Sequence, residues 1–473
     1  MSESVANTPI FVDLDGTLIK TDSLLESALL LVKSNPFYLF ILPFWLLQGR
    51  AAFKHKVASR VVLSAQRLPV NQEFFAWLEN QKERDLILIS ASNQKTVDEI
   101  AQSFDLFSAH IGSTQTHNLK GKNKLRRIRK LCGESGFAYA GNSHADLPIW
   151  EAASQKLLVN CPASLKQKLN SQSECLQFDQ PGPWLGKFWR TMRPHQWLKN
   201  GLLFVPLILA HQVQEPDLVM QALLGFLSFS LCASSVYILN DLMDLNADRA
   251  HSNKKDRPLA SGELPLHRAI AALFLLLLAA FLLAVMLPVG FFAVLFGYWF
   301  LTVLYTFVLK RIFLLDLLVL AQLYTIRLVA GAAAVNVIAS PWLLAFSMAL
   351  FFSLAAVKRI IELINSSGQP GNSLPGRAYR DAHKFLLTGF GMLGSLLAVI
   401  TIGFYINSEE AQRLYGTPGL LWPICVLLLL ILWRLWRFAL GGKLHDDPVL
   451  FAISDHPSQL ATALMFLVLY LAI

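Results

Sequence analysis

Two stretches of this chain combine residue types and spacings suited to phosphate chemistry. The first is Asn240-Asp241-Leu242-Met243-Asp244-Leu245-Asn246-Ala247-Asp248, which sets three carboxylates and an amide at the end of a strongly apolar run. On a helix, Asn240, Asp244 and Asp248 recur at i, i+4 and i+8, with Asp241 three residues before Asp244, so one face carries several hard oxygen ligands. Such a face suits Mg2+ bridging a pyrophosphate. Charge at the end of a membrane helix is costly and reads as facing a cavity where it does a job. The plainer alternative is an acidic helix end followed by the solvated run Arg249 to Arg257, but the cluster sits between two expected membrane spans.

The second stretch is Asp13-Leu14-Asp15-Gly16-Thr17, directly after the buried-strand pattern Ile10-Phe11-Val12. Two carboxylates on a strand-end turn are placed where a phosphate can bind. Asp13 then suits a nucleophile held ionised by Mg2+, and Asp15 a general acid and base. Ser90, ending the strand pattern Leu86-Ile87-Leu88-Ile89, offers a hydroxyl to a transferring phosphoryl group. Lys124, or less favourably Lys122, offers a cation ahead of a helix. Gly141-Asn142-Ser143-His144-Ala145-Asp146 follows a third strand pattern and supplies another acid site.

These motifs need two different solvents around them. The chain is 473 residues long, enough for two or three domains, and its 54% hydrophobic content is unevenly spread. Residues 1–180 mix charged and apolar residues like a soluble domain, whereas apolar runs of membrane-crossing length recur within 187–473. Nine spans are expected, near 199–213, 218–239, 268–286, 289–309, 312–336, 341–363, 386–406, 418–438 and 456–473. The stretch Gln180-Pro181-Gly182-Pro183 reads as the linker. The polar start, Met1 to Pro9, has no signal-peptide pattern, so the soluble domain is expected in the cytoplasm. Lys and Arg concentrate in the loops on that same side, placing the chain as a multi-pass protein of the inner membrane. That bias accounts for the net charge of +9 without a nucleic-acid partner. The five cysteines are scattered, with no metal-ligand spacing, and read as free buried thiols. Nothing in the sequence fixes the oligomeric state.

Residues 8–165, with the DxDGT motif, Ser90, Lys124 and the Asn142–Asp146 loop in that order, resemble the haloacid dehalogenase (HAD) phosphohydrolase superfamily. The resemblance implies an α/β Rossmannoid domain with a helical cap over about 19–80. It also implies Asp13 as nucleophile, Asp15 as acid and base, Ser90 and Lys124 as phosphate contacts, and Mg2+ held by Asp13, Asp15, Asn142 and Asp146. One departure stands out: the family's fourth motif normally begins with an aspartate, and here that position is Asn142. An active phosphatase and a non-catalytic lid or regulatory module therefore both stay open. Within the cap, Phe37 to Leu47 is too short to span and is interrupted by Pro43. It reads either as a buried helix pair or as a helix lying in the membrane interface.

The acidic stretch, NDxxDxxxD, closely resembles the first signature of the UbiA superfamily of intramembrane prenyltransferases, across about 187–473. This implies an all-α bundle of nine transmembrane helices, with Asn240, Asp241, Asp244 and Asp248 binding Mg2+ and diphosphate and Arg257 helping to neutralise it. Ordinary members carry a second aspartate-rich loop after the sixth span. Here that loop reads Lys358-Arg359-Ile360-Ile361-Glu362-Leu363 and runs on to Arg377, Tyr379 and Arg380. Cations in place of carboxylates suit direct phosphate binding. Arg193-Pro194-His195-Gln196-Trp197-Leu198-Lys199-Asn200 adds Lys199. Arg327, mid-span and poorly placed to pair with Asp316, reads as a ligand contact in the cavity.

This combination resembles the decaprenyl-phosphate phosphoribosyltransferase branch, which implies phosphoribosyl diphosphate as donor, a polyprenyl phosphate as acceptor, and Lys199, Arg257, Arg327, Lys358, Arg359, Glu362, Arg377, Tyr379 and Arg380 as substrate contacts. The alternative is an aromatic or quinone-precursor prenyltransferase using polyprenyl diphosphate.

Overall fold

The computed structural model describes residues 8–133, 135–170, 175–179, 184–365, 377–444 and 448–472. The expected linker at 180–183 and the stretch 366–376 of the basic loop lie outside them. The chain divides into two compact units, one of residues 1–192 with 237–274, the other of 193–236 with 275–473.

The first unit is built on a six-stranded, all-parallel sheet: β1 (Ile10–Val12), β2 (Leu86–Asn93), β3 (Ala109–Ser113), β4 (Ala138–Gly141), β5 (Gln155–Val159) and β6 (Cys175–Phe178), in the order β3-β2-β1-β4-β5-β6. Parallel strands covered on both faces need apolar residues at nearly every position, and the runs IFV and LILI supply them. The two-residue side-chain period sorts them. Ile10, Val12, Leu88 and Ala140 pack on one face, while Phe11, Ile89, Tyr139 and Leu158 pack on the other against Trp150. The order reverses at β1, so the carboxyl ends of β1, β2 and β4 frame a crevice of the Rossmann-like kind.

Between β1 and β2 lie four helices, α1 (Ser23–Ser34), α2 (Tyr38–Leu47), α3 (Arg50–Ala58) and α4 (Gln72–Glu79), filling the expected cap. Asp22 caps α1, accepting from Leu25 N at 2.9 Å. None of α2 is buried: Phe40, Phe44 and Leu47 are 68%, 68% and 84% exposed. The buried-helix-pair reading of Phe37–Leu47 therefore fails. A helix apolar on every side cannot satisfy itself by turning one face to a core, and an interfacial position suits it better. Further along come α5 (Gln94–Ala101) and α6 (Lys122–Cys132), the latter carrying Lys124 inward.

Among the later helices are α7 (Pro216–Met243), α8 (Leu245–Arg249), α9 (Leu266–Val285), α10 (Val289–Phe307), α11 (Leu315–Ala334), α12 (Pro341–Asn365), α13 (Lys384–Ile406), α14 (Trp422–Leu440) and α15 (His456–Ala472). Helix α7 belongs to both units, and its last two turns, α8 and the start of α9 belong to the first. Among the described residues seven helices are long and apolar enough to cross a bilayer, not nine. The first expected span is instead a 3-10 stretch, Pro194–Phe204, followed by the short helix Val205–Leu209, with Pro206 denying the backbone a donor. Gly331 lets that stretch lie against α11, since a Cβ there would overlap the Leu203 carbonyl. The last expected span, α15, has 17 residues, about 26 Å of helix against a hydrocarbon core of about 30 Å. All five cysteines are free, and Cys161, Cys232 and Cys425 are buried.

Candidate active sites

At the carboxyl ends of β1, β2 and β4, the structure brings together most of the residues expected there. Lys124, 2% exposed, reaches Asp13 Oδ1 at 2.9 Å and Asp146 Oδ1 at 3.8 Å, and donates to the Tyr139 hydroxyl at 3.0 Å. Tyr139 donates in turn to Asp146 at 2.8 Å, and the Ser143 N–H and hydroxyl hold the other Asp146 oxygen at 3.1 and 2.8 Å. Asp15 accepts from Ser23 N at 2.8 Å and from the Ser92 hydroxyl at 2.6 Å. Burial is the largest influence on Asp13 and on Asp15 and raises each to about 6; Lys124 opposes this at Asp13, and the Ser92 and Ser23 hydrogen bonds oppose it at Asp15. Asn142 faces the loop at Gly16, where φ is +74° and any Cβ would strike its amide.

Ser90 is joined at the strand end by a second serine. Strand β2 continues to Asn93, and the buried Ser90 hydroxyl accepts from Ser92 N at 3.0 Å, while Ser92 is the serine whose hydroxyl meets the Asp15 carboxylate. The signal was legible as Ser90-Ala91-Ser92, two hydroxyls on one face of a strand. Ser23 and Lys54 carried none, because only the folded cap brings them to the site. Lys54 donates to the Ala91 carbonyl at 2.6 Å and to Asn118 at 3.1 Å.

The acidic stretch is not one continuous helix. Helix α7 ends at Met243, Asp244 adopts φ −105° and ψ 14°, and α8 begins at Leu245, although Asp244 N and Asp248 N still donate to the carbonyls four residues earlier at 2.9 and 2.8 Å. The kink changes the grouping from the expected i, i+4, i+8 face. Asp241 Oδ1 and Asp248 Oδ2 converge on one Arg257 nitrogen, at 3.1 and 2.6 Å, while Asp244 meets Lys33 of α1 at 3.1 Å.

Among the described residues no three His, Cys, Asp or Glu side chains converge as a metal cage. The donor set nevertheless fits Mg2+, which takes one or two carboxylates and completes its shell with substrate phosphate and water. Asp241 with Asp248, and Asp13 with Asp146, are each a carboxylate pair already gathered around a single side-chain cation.

In the second unit Lys199 and Arg327 are buried together with aromatic rings. The Arg327 guanidinium lies 5.2 Å from the Tyr324 ring centre and 5.5 Å from those of Phe229 and Tyr298, and its Nε donates to Asn200 Oδ1 at 2.9 Å. Lys199 sits 5.8 Å from the Tyr324 ring. A cavity of about 470 Å3, lined by Pro206, Val337, Trp342, Ile402, Tyr415 and Phe466 among others, includes none of these cationic residues.

Two of the residues expected to contact substrate are buried and held by neighbours. Arg359, 1% exposed, is held by both oxygens of Asp316 at 2.5 and 3.0 Å, by Tyr305 at 3.0 Å and by Glu362 at 2.8 Å. Tyr379 is fully buried in the core beside Phe313. Sequence spacing showed a run of cations but not that Asp316, across from α12, would claim one of them. Glu362 also accepts from Arg377 at 2.9 Å, and Lys358 is half-buried while Arg380 is exposed. Arg359→Met should therefore cost about 3–5 kcal/mol by stranding Asp316, and Asp316→Asn combined with it should recover much of the loss. Thermal unfolding of the detergent-solubilised single and double variants checks this.

A bundle of membrane-crossing helices joined to a Rossmann-like α/β unit, with a carboxylate turn at one helix end, defines a multi-pass membrane enzyme. The model of the UbiA prenyltransferase family matches residues 202–454. The "Uncharacterized protein y4nM" of Sinorhizobium fredii is 34% identical over 467 residues, covering 97% of this chain and 89% of that one. The decaprenyl-phosphate phosphoribosyltransferase of Mycolicibacterium smegmatis is 32% identical over 178 residues, 37% of this chain and 56% of that one. Among solved structures, a UbiA homolog from Archaeoglobus fulgidus bound to DMAPP and Mg2+ aligns with a TM-score of 0.45 at 18% identity, covering 60% of this chain and 98% of that one. The chain belongs to the UbiA prenyltransferase family.

Proposed function

We propose that the membrane bundle transfers 5-phosphoribose from phosphoribosyl diphosphate to a polyprenyl phosphate, and that the α/β unit is a HAD-type phosphatase acting on the lipid-linked product. The observation that carries the first half is the state of the carboxylates. Asp241 and Asp248 are gathered as a pair on one cation, whereas Glu362 and Asp381, the two carboxylates between Lys358 and Lys384, are held by different cations, Glu362 by Arg359 and Arg377, and Asp381 by Lys384 at 3.0 Å. That leaves one acidic diphosphate site and a second loop suited to phosphate rather than to metal.

In this reading Asn240, Asp241, Asp244 and Asp248 hold the donor diphosphate through Mg2+, which, when bound, stabilises charge on the departing pyrophosphate. Arg257 neutralises further charge. Lys199, Arg327, Lys358, Arg377 and Arg380 are the candidate partners for donor and acceptor phosphates, and Arg359 with Tyr379 become positioning residues. A lipid phosphate oxygen bonds to the anomeric carbon as the bond to pyrophosphate breaks. The nucleophile is already anionic, so no strong base is needed.

For the second step, Asp13 attacks the 5-phosphate and Asp15, raised to about 6, delivers a proton to the leaving ribose oxygen before activating water against the aspartyl phosphate. Lys124 and Ser90 answer the phosphoryl charge, and Asp146 with Asn142 would help hold Mg2+ there. Asn142, which adds no negative charge, is what favours the second reading of this unit as a non-catalytic module. The exposed helix α2 would let the cap meet a lipid-bound substrate at the bilayer surface. The reading places this unit on the cytoplasmic side.

The purified protein should turn over phosphoribosyl diphosphate with polyprenyl phosphate and give nothing with 4-hydroxybenzoate plus polyprenyl diphosphate. The reverse pattern, read by mass spectrometry of extracted lipids, would replace this reading with the aromatic prenyltransferase.

A further inference from the structure

Within the first unit, helix α1 touches both carboxylate sites. At its first turn Ser23 gives its N–H to Asp15 at 2.8 Å, and its hydroxyl lies 2.8 Å from that of Ser92, which holds the other Asp15 oxygen. Three residues on, Glu26 receives Arg249 through two bonds, Nη1 to Oε2 at 3.1 Å and Nη2 to Oε1 at 2.5 Å, with the Thr21 hydroxyl added at 2.7 Å. Seven residues further, on the same helix face, Lys33 Nζ donates to Asp244 Oδ1 at 3.1 Å.

These contacts differ in how easily they can be broken. The Glu26 and Arg249 side chains are 1% and 6% exposed, and Arg249 Nε is also fixed by the Ala260 carbonyl at 2.9 Å. Separating that pair would strand a buried charge. The loop after α8 is pressed on the same surface, for a Cβ at Gly262 would strike Lys20 and Pro69. Lys33 and Asp244 are instead 31% and 33% exposed, at the end of a flexible four-carbon arm. So α1 is pinned to α8 in its first turn and meets the acidic turn through a movable cation near its other end.

We infer that Lys33 is a built-in counter-cation of the acidic turn, aimed by the Glu26–Arg249 anchor. It occupies Asp244 until a divalent ion takes its place, and that exchange ties the loading of the turn to the helix that also positions Asp15. The inference rests on the reading of the acidic turn as a divalent-metal site. A carboxylate shared between an ammonium and a metal binds the metal less tightly than one without the ammonium, since the two cations compete for the same oxygens and repel each other.

The test uses Mn2+ as the probe and free-Mn2+ EPR as the readout, on the full-length protein in detergent with Asp13→Asn and Asp15→Asn to silence the other site. Adding Lys33→Met should tighten Mn2+ binding about three- to fivefold, the effect of removing one partly exposed ion pair. Lys33→Arg, which keeps the charge, should leave binding near the parent value. Asp244→Asn should weaken binding with or without Lys33→Met. If Asp244→Asn weakens Mn2+ binding but Lys33→Met leaves it unchanged or weaker, the counter-cation is refuted and the metal reading stands. If Asp244→Asn changes nothing, the metal reading of the turn falls, and the counter-cation with it.

Discussion

Asp241→Ala and Asp244→Ala are each expected to lower phosphoribosyl transfer at least about a hundredfold while leaving the protein folded, because losing a carboxylate from a metal-diphosphate site removes several kcal/mol of charge stabilisation. The structure makes the two variants informative in different ways. Asp241 shares Arg257 with Asp248, so its removal leaves that guanidinium one partner, whereas removal of Asp244 leaves Lys33 unpaired by this carboxylate. Asp244 is one-third exposed at the helix end, so its removal should move the melting temperature in detergent little, whereas Asp241 is buried against Arg257 and its variant needs the folded state checked alongside the rate. The rate should not recover with excess Mg2+ if the carboxylate itself is needed for diphosphate placement. Near-normal transfer by either variant at saturating Mg2+ would remove the metal assignment.

Asp13→Asn should separate the two chemistries. The substitution removes the nucleophilic oxygen and one of the two carboxylates flanking Lys124, so phosphate release from a phosphomonoester should fall below detection while transfer by the bundle continues. Wild-type protein should then accumulate the dephosphorylated polyprenyl-phosphoribose, and Asp13→Asn the 5-phosphorylated lipid, a difference of one phosphate by mass spectrometry. Identical lipids from both proteins would leave the α/β unit without a catalytic role, with Asn142 as the physical reason. Loss of transfer as well would mean that Asp13 is needed for more than phosphate release.

Much of this was legible in the sequence because it is carried by local pattern. Apolar runs gave β1, β2 and β4 and the seven long helices, and DxDGT, Lys124 and Asp146 fell together as their order suggested. Failures came where a long-range partner or a backbone irregularity decided the outcome. A run of 199–213 looks like a span by hydropathy, but Pro206 and a long 3-10 stretch break it. Asn240, Asp244 and Asp248 align only on an unbroken helix, and the kink at Asp244 regroups them. Arg359 reads as an available cation until Asp316, 43 residues earlier, is found holding its Nε and Nη2. Ser23, Lys54 and Glu26 have no motif, since the cap alone determines what they meet.

The central claim is transfer of phosphoribose to a lipid phosphate, and the most direct measurement follows the sugar. Purified protein in detergent, given phosphoribosyl diphosphate labelled in the ribose, polyprenyl phosphate and Mg2+, should move label into the organic-extractable lipid, and chelation by EDTA should stop it. Label that stays in the aqueous phase, while the same preparation prenylates an aromatic acceptor from polyprenyl diphosphate, would contradict the account.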